Sequence, residues 1–289
     1  MAKAAPDQHV EFFHRDHFHQ HYHRKKAKKS LSKFIDFFWE TDFENLWQQY
    51  PNGFADILFP NVGYTYLINL GTPFNMQLND DSFAMKNDGF LPRFRNISTI
   101  HSAGNRLFGI KFKVSPIIFE KKINFSEYTY IFPLSYLMPR EIIHAVKQAA
   151  TFDVRVQTIS NYYEDVVKQY EGSLKYVDVV TSILNSEEGT NYTTPVEALA
   201  QQHSISTRTL QRYFESATSI SCKQALQIMR IRKALSEFVS DPAIFDYRSF
   251  GYFDYSHFFK HAKQFLAGHK MANISSHMQL LKGNGIIDY

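Results

Sequence analysis

The stretch "SISTRTLQRYFESATSI", residues 204–220, holds the side chains with the most to say about chemistry. Arg208 and Arg212 stand four residues apart, Gln211 precedes Arg212, and Ser206 and Thr207 come just before Arg208. On a helix, positions i and i+4 share a face, so both guanidinium groups project together with the amide beside them. Arginine can pair bidentately with guanine and glutamine with adenine, while hydroxyls at a helix start can hold a phosphate. That is the chemistry of a nucleic-acid interface. An ordinary solvated helix face would carry similar residues, so the surrounding elements must separate the two.

A second stretch, "DYSHFFKHAKQF" (254–265), has the same layout. Phe258, Ala262 and Phe265 fall on one side, and Ser256, Lys260 and Lys263 on the other. Ser206, Thr207, Arg208, Gln211 and Arg212 are therefore the primary candidate contacts, and Tyr255, Ser256, His257 and Lys260 the secondary ones. Basic residues outnumber acidic ones across 191–270. The chain as a whole is only mildly basic, with net charge +4 and pI near 8.9, which suits phosphate without requiring it.

Other chemistry is sparse. The adjacent Ser256 and His257 have no Gly-x-Ser-x-Gly elbow, and no phosphate-cradling glycine loop occurs among only 12 glycines. His101, His144 and His203 stand alone and read as surface or satisfied core histidines. Asp80–Asp81 and Glu187–Glu188 sit in polar turns where solvation is expected. Asp56 in "FADILF" suits either a pocket wall or an edge strand. Cys222 is the single cysteine, so no intramolecular disulfide or cysteine-only zinc site can form. At a helix start its thiol could be acidified by the helix dipole; a small packing residue is the simpler reading. His9, His14, His17, His19, His21 and His23 could chelate a metal, but their irregular spacing and scarce carboxylate partners favour a disordered basic arm or a vector remnant. No catalytic residue, cofactor or specific metal is expected. An enzyme housed in the first half of the chain ranks last among the readings.

The elements that must position these residues differ along the chain. Its 289 residues, 44% of them hydrophobic, suffice for two domains with real cores. Residues 1–30 form the His/Lys-rich tail. From 31 to 138 the runs are short, β-rich and punctuated by "PNG", "PNVG" and "LGTP". In "LFGIKFKV", Phe108, Ile110, Phe112 and Val114 point one way and Lys111 and Lys113 the other, as on a half-buried strand. An antiparallel β sandwich or barrel follows, serving to sense or to dimerise. Residues 139–188 carry helical spacing and form a connector. "NSEEGTNYTT" (185–194) is the strongest boundary, and 189–289 is a domain of two helix-turn-helix units joined by a long helix. There, Thr194 is expected to cap "PVEALAQQ" with Pro195 and Glu197 inside the first turn. Ser206 caps the helix over 206–217, which buries Leu210, Tyr213, Phe214 and Ala217 against Val196, Leu199, Ala200 and Ile205. "DPAIFDYRSF" is expected to supply the first helix of the second unit. The fold class is α+β multidomain. One cysteine, no signal peptide and no apolar run near the ~18 residues of a membrane helix point to a cytoplasmic protein without a membrane partner.

"LAQQHSISTRTLQRYF" resembles the first helix-turn-helix of AraC/XylS-type transcription regulators. The family pattern is Leu-Ala, five residues, then Ser-x-Arg-x-Leu-x-Arg-x-Phe, matched here by Leu199, Ala200, Ser206, Arg208, Leu210, Arg212 and Phe214. "MRIRKAL" is similar to the linker helix and "GYFDYSHFFKHAKQF" to the second unit, so the likeness spans about 190–275. More weakly, "FFWE", "YPNGFADILF" and "FGIKFK" look like the uncharacterised β-rich domain of one AraC subgroup. The resemblance implies sequence-specific binding to double-stranded DNA, with the helices 206–217 and 254–265 in successive major grooves. It brings with it control by a small-molecule effector or homodimerisation, and contact with RNA polymerase. Departures are specific: Ser219 and Cys222 stand where the family has Gly and Pro, Tyr247 where it has Ala, Asp246 where it has an apolar residue, and Ala262 where it has Phe. "AGHK" replaces the closing Gly-x-x-Pro. The smaller Ala262 is expected to make room for Tyr247. A degenerate relative acting only through protein contacts is the alternative.

Overall fold

Short apolar runs between 22 and 133 build two antiparallel sheets. The computed structural model describes residues 21–51, 54–78, 81–85, 88–115, 131–241 and 243–266. The strands are β1 (Tyr22–Lys26), β2 (Ile35–Asp42), β3 (Ala55–Leu58), β4 (Tyr64–Asn69), β5 (Phe74–Leu78), β6 (Asp81–Met85), β7 (Gly89–Pro92), β8 (Ile97–Ile100), β9 (Arg106–Phe112) and β10 (Phe132–Pro133). A six-stranded sheet runs in the order β1-β2-β9-β4-β7-β10 and a four-stranded one in the order β3-β8-β5-β6. Helix α1 (Glu44–Gln49) follows β2. Asp56 lies on β3, an edge strand.

The larger sheet is covered on both faces. Phe38, Tyr64, Tyr66, Phe90, Phe108, Ile110 and Phe112 join the helical core, while Phe37, Trp39, Leu67 and Leu107 pack with Phe74, Met76 and Ile97 of the smaller sheet. This corrects the half-buried reading of β9. Phe108, Ile110, Phe112 and Val114 do share one core, but Lys111 is buried on the other side, where its Nζ donates to the Val62 carbonyl. Two covered faces leave no solvent side to receive it. Gly109 is required here, because a Cβ would meet the Trp39 ring at 2.0 Å.

The basic run expected in a disordered arm joins the fold at β1. Lys25 reaches Asp153 at 2.6 Å and Lys33 reaches Asp178 at 2.7 Å, while Ser30 donates to Glu164. His21 faces Asp42 at 3.3 Å. His9, His14, His17 and His19 lie outside the described residues.

After β10 come α2 (Arg140–Gln148), α3 (Phe152–Gln169) and α4 (Lys175–Ser186). Val146, Val156, Ile159 and Tyr163 cover the large sheet. The buried pair Arg155–Glu40, 3.1 Å apart, fastens α3 to β2. The last helices are α5 (Val196–Gln202), α6 (Thr207–Thr218), α7 (Cys222–Ser240) and α8 (Tyr255–Phe265). Helix α4 packs on α6, with the rings of Tyr176 and Tyr213 6.3 Å apart.

The segment between α4 and α5 departs from expectation twice. Glu187 is buried rather than solvated and accepts from Thr190 Oγ1 at 2.7 Å and from the Thr194 amide at 3.3 Å. Thr194 does not cap α5, whose N-cap is Pro195 without a side-chain bond. The Thr194 amide is turned to Glu187 instead. Among the described residues no helix is long and apolar enough to cross a membrane.

Candidate nucleic-acid interface

Helices α5 and α6 form a two-helix unit through a turn in which Ser204 takes a left-handed φ of 53°. Ser206 closes the start of α6, its Oγ accepting from the Thr209 amide at 3.1 Å as the sequence suggests. Leu199 and Ala200 of α5 and Leu210, Phe214 and Ala217 of α6 are buried, with Tyr213 half-buried beside them. Ser206, Thr207, Arg208 and Arg212 are exposed. Gln211 is half-buried, and its Nε2 donates to Glu215 Oε1 at 2.7 Å.

Among the described residues, the side chains of Arg208 and Arg212 make no hydrogen bond or ion pair. Elsewhere Lys25, Lys33, Arg106, Lys147 and Arg155 are each matched to a carboxylate. The arginines of α6 thus keep their charge and donor forks available to an incoming anion or base edge.

The second unit is built differently. Its first element is a 3-10 turn over Tyr247–Phe250, not the expected helix from "DPAIFDYRSF". Gly251, at φ 70°, reverses the chain, and Asp254 caps α8 by accepting from the His257 amide at 2.7 Å. Ser256, His257, Lys260 and Lys263 are exposed, and Phe258, Ala262 and Phe265 are buried. Among the described residues Lys260 has no polar partner. Tyr255 is partly engaged: its ring lies 4.5 Å from Tyr247 and its hydroxyl donates to the Phe245 carbonyl at 3.4 Å. The bulk of Tyr247 is therefore taken up against Tyr255. His257 Nδ1 accepts from the Phe253 amide at 3.5 Å.

Phe253, 86% exposed, and Ile244, 79% exposed, were not singled out in the sequence. Phe253 follows two buried aromatics, Phe250 and Tyr252, so no periodicity marks it as the one facing water. Behind it, burial pushes the Tyr252 hydroxyl up to about 12, and its oxygen lies 2.8 Å from His261 Nδ1. Burial, with Arg230 and His257 nearby, lowers the pKa of His261.

Helix α7 bridges the units. Ser221 caps it by accepting from the Gln224 amide at 3.1 Å. Cys222 is buried, and that burial, reinforced by Glu187, pushes its thiol up to about 12. The acidifying effect expected at a helix start is therefore overruled by desolvation. Among the described residues no cluster of His, Cys, Asp or Glu could hold a metal ion.

The β domain grips this assembly at the C-terminal ends of α6 and α8. The Tyr64 hydroxyl meets Ser219 Oγ at 2.5 Å, and the Ser115 amide donates to the Ala217 carbonyl at 2.7 Å. Asn96 Nδ2 donates to the Phe265 carbonyl at 3.2 Å, and the Phe59 and Phe265 rings are 5.6 Å apart. Between them Arg232 of α7 donates to the Pro60 carbonyl at 2.9 Å. Of the primary candidate contacts, Ser206, Thr207 and Arg208 lie at the opposite, N-terminal end of α6, and these three and Arg212 are exposed.

No protein-family model and no curated protein matches the chain. Among solved structures it is similar to ToxT from Vibrio cholerae, with 10% identity over 89% of this chain and 99% of that one, at a TM-score of 0.45. An unsaturated fatty acid-bound ToxT from the same organism gives 12% identity over 74% and 91%, at 0.41. The AraC-like transcriptional activator CuxR gives 8% identity over 78% and 90%, at 0.22.

Proposed function

We propose that the chain is a sequence-specific DNA-binding transcription regulator, not an enzyme, working in the cytoplasm. The observation that carries this is α6: a Ser206-capped helix of a two-helix unit, with exposed Arg208 and Arg212 free of partners among the described residues. In a major groove, Arg208 and Arg212 reach guanine edges, Gln211 an adenine, and Ser206 and Thr207 a phosphate. Helix α8 enters the next groove, with Ser256, His257 and Lys260 as secondary contacts and Tyr255 at its rim. The β domain senses a small molecule or dimerises, and its contacts with Ser219, Arg232 and Phe265 are the route by which its state reaches both helices. RNA polymerase and a second copy of the chain are the protein partners this reading carries.

Selection of the full chain against a randomised duplex pool, followed by salt titration, tests it. A motif should be enriched, and Arg208→Ala and Arg212→Ala should each cost ~1–3 kcal/mol and relax preference at one position. Weak, sequence-blind binding erased by salt would instead support a degenerate protein acting through protein contacts. The observations favouring that second reading are the shortened first element of the second unit and the exposed Ile244 and Phe253 beside it.

A further inference from the structure

A cleft of about 600 Å³ opens between the edge of the large sheet and helix α2. An internal pair is part of its lining: Lys147 Nζ lies 2.9 Å from Asp88, whose carboxylate also accepts from the Asn69 amide at 2.8 Å. Pro133 and the buried Ile143 supply an apolar lining. Arg140, Glu141 and His144 also line the cleft, and among the described residues none of their side chains makes a hydrogen bond or ion pair.

Arg140 is the residue that local rules do not account for. It occupies the first position of α2, where the helix dipole disfavours a cation, and Pro139 offers no side-chain cap. Its neighbour Glu141 faces the same cleft without pairing to it. A cation and an anion, consecutive on α2, thus line one space with the apolar Ile143 and Pro133, at a volume suited to a small molecule.

Charge decides the class of that molecule. The two cations, Arg140 and Lys147, balance the two anions, Asp88 and Glu141, so the lining carries no net charge to favour a simple anion. A carboxylate drawn to Arg140 would meet Glu141, and an amine drawn to Glu141 would meet Arg140. A molecule bearing both groups one carbon apart satisfies both at once. We propose that this cleft binds a free α-amino acid with an apolar side chain. Its carboxylate sits on the Arg140 fork, its ammonium on Glu141, and its side chain against Ile143 and Pro133, with His144 as a further hydrogen-bonding group.

Binding of this kind is independent of DNA; only its regulatory meaning rests on the proposed function. The test is calorimetric titration of the full chain with L-leucine and L-phenylalanine. Two controls divide the zwitterion: 4-methylpentanoate, which lacks the amine, and 3-methylbutylamine, which lacks the carboxylate. Saturable binding of at least one amino acid is expected. Both controls, and both Arg140→Gln and Glu141→Gln, should be weaker by about tenfold or more. The two side chains are exposed, so both variants should keep the parent's far-UV circular dichroism and unfolding midpoint. Absence of saturation by either amino acid overturns the proposal. So does 4-methylpentanoate binding as tightly as L-leucine, or binding unaffected by both substitutions. The duplex selection can succeed or fail under any of these outcomes, so the two readings are separable.

Discussion

The hydroxyl of Tyr64, on strand β4, lies 2.5 Å from the Oγ of Ser219, the residue that ends α6 in a left-handed φ of 59°. The resemblance places a glycine there, and the φ explains why: a side chain in this region costs ~1–2 kcal/mol. Ser219 offsets that cost with a bond to the β domain that glycine cannot make. Tyr64 is buried, and burial raises its pKa, which keeps the hydroxyl neutral as a hydrogen-bonding group. Tyr64→Phe should destabilise the chain by ~1 kcal/mol. Ser219→Gly should be near neutral, since relief of strain balances the lost bond. Urea unfolding of both single variants and the double should give a coupling of ~0.5–1.5 kcal/mol. Additive effects would mean the contact contributes nothing.

Glu40 and Arg155 are a buried ion pair between β2 and α3, each side chain 5% exposed, with Arg106 on the same carboxylate at 2.5 Å. Removing one member strands the other charge. Glu40→Ala should therefore cost ~3–5 kcal/mol, far more than Lys25→Ala at the exposed Asp153 pair, which should cost under ~1 kcal/mol. Denaturant midpoints compare the two directly, and equal losses would refute the assignment.

Alkaline stability follows from one sign. Cys222, Tyr176 and Tyr252 have folded values pushed up by burial to about 12, from ordinary values of 9.0 for the thiol and 10.0 for the phenols. The unfolded chain then loses protons first, so stability is complete below pH 9 and falls as pH climbs towards 12. Cys222→Ala should move the onset of that fall from near pH 9 to near pH 10. His261, whose pKa is lowered by burial, acts at the other end: stability it contributes above its ordinary 6.5 is lost as pH falls. Unfolding free energies measured from pH 5 to 11 check both limbs. A midpoint unchanged between pH 8 and 11 would refute the first.

Local rules made much of this legible. The Ser206 cap, the buried Leu210 and Phe214 and the exposed Arg208 and Arg212 follow from helical spacing alone, because α6 has one buried and one open face. Lys111 did not follow, since period two says which residues share a face but not whether the other face meets water. Glu187 and Thr194 were misplaced because a buried carboxylate drew the amide and so replaced the usual cap. The Arg140–Glu141 cleft was invisible, because it joins α2 and the edge strand β10 to Asp88, just before β7 and some fifty residues away in sequence. The grip of Tyr64 on Ser219 was hidden for the same reason.

Glu215 raises the sharpest question about α6. It is an exposed acid one turn beyond Gln211, and it holds the amide that would read adenine. On the proposed binding face, an exposed carboxylate would also oppose the approach of phosphates. Glu215→Ala should therefore do two things: strengthen binding to all duplexes by a few-fold at low salt, and sharpen preference for adenine at one position by ~1 kcal/mol or more. In the Glu215→Ala background, Gln211→Ala should abolish the second gain and leave the first. Competition binding on duplexes that differ at single positions separates the two effects. A uniform gain with no change in preference would mean that Gln211 reads no base and that Arg208 and Arg212 carry the specificity of α6 alone.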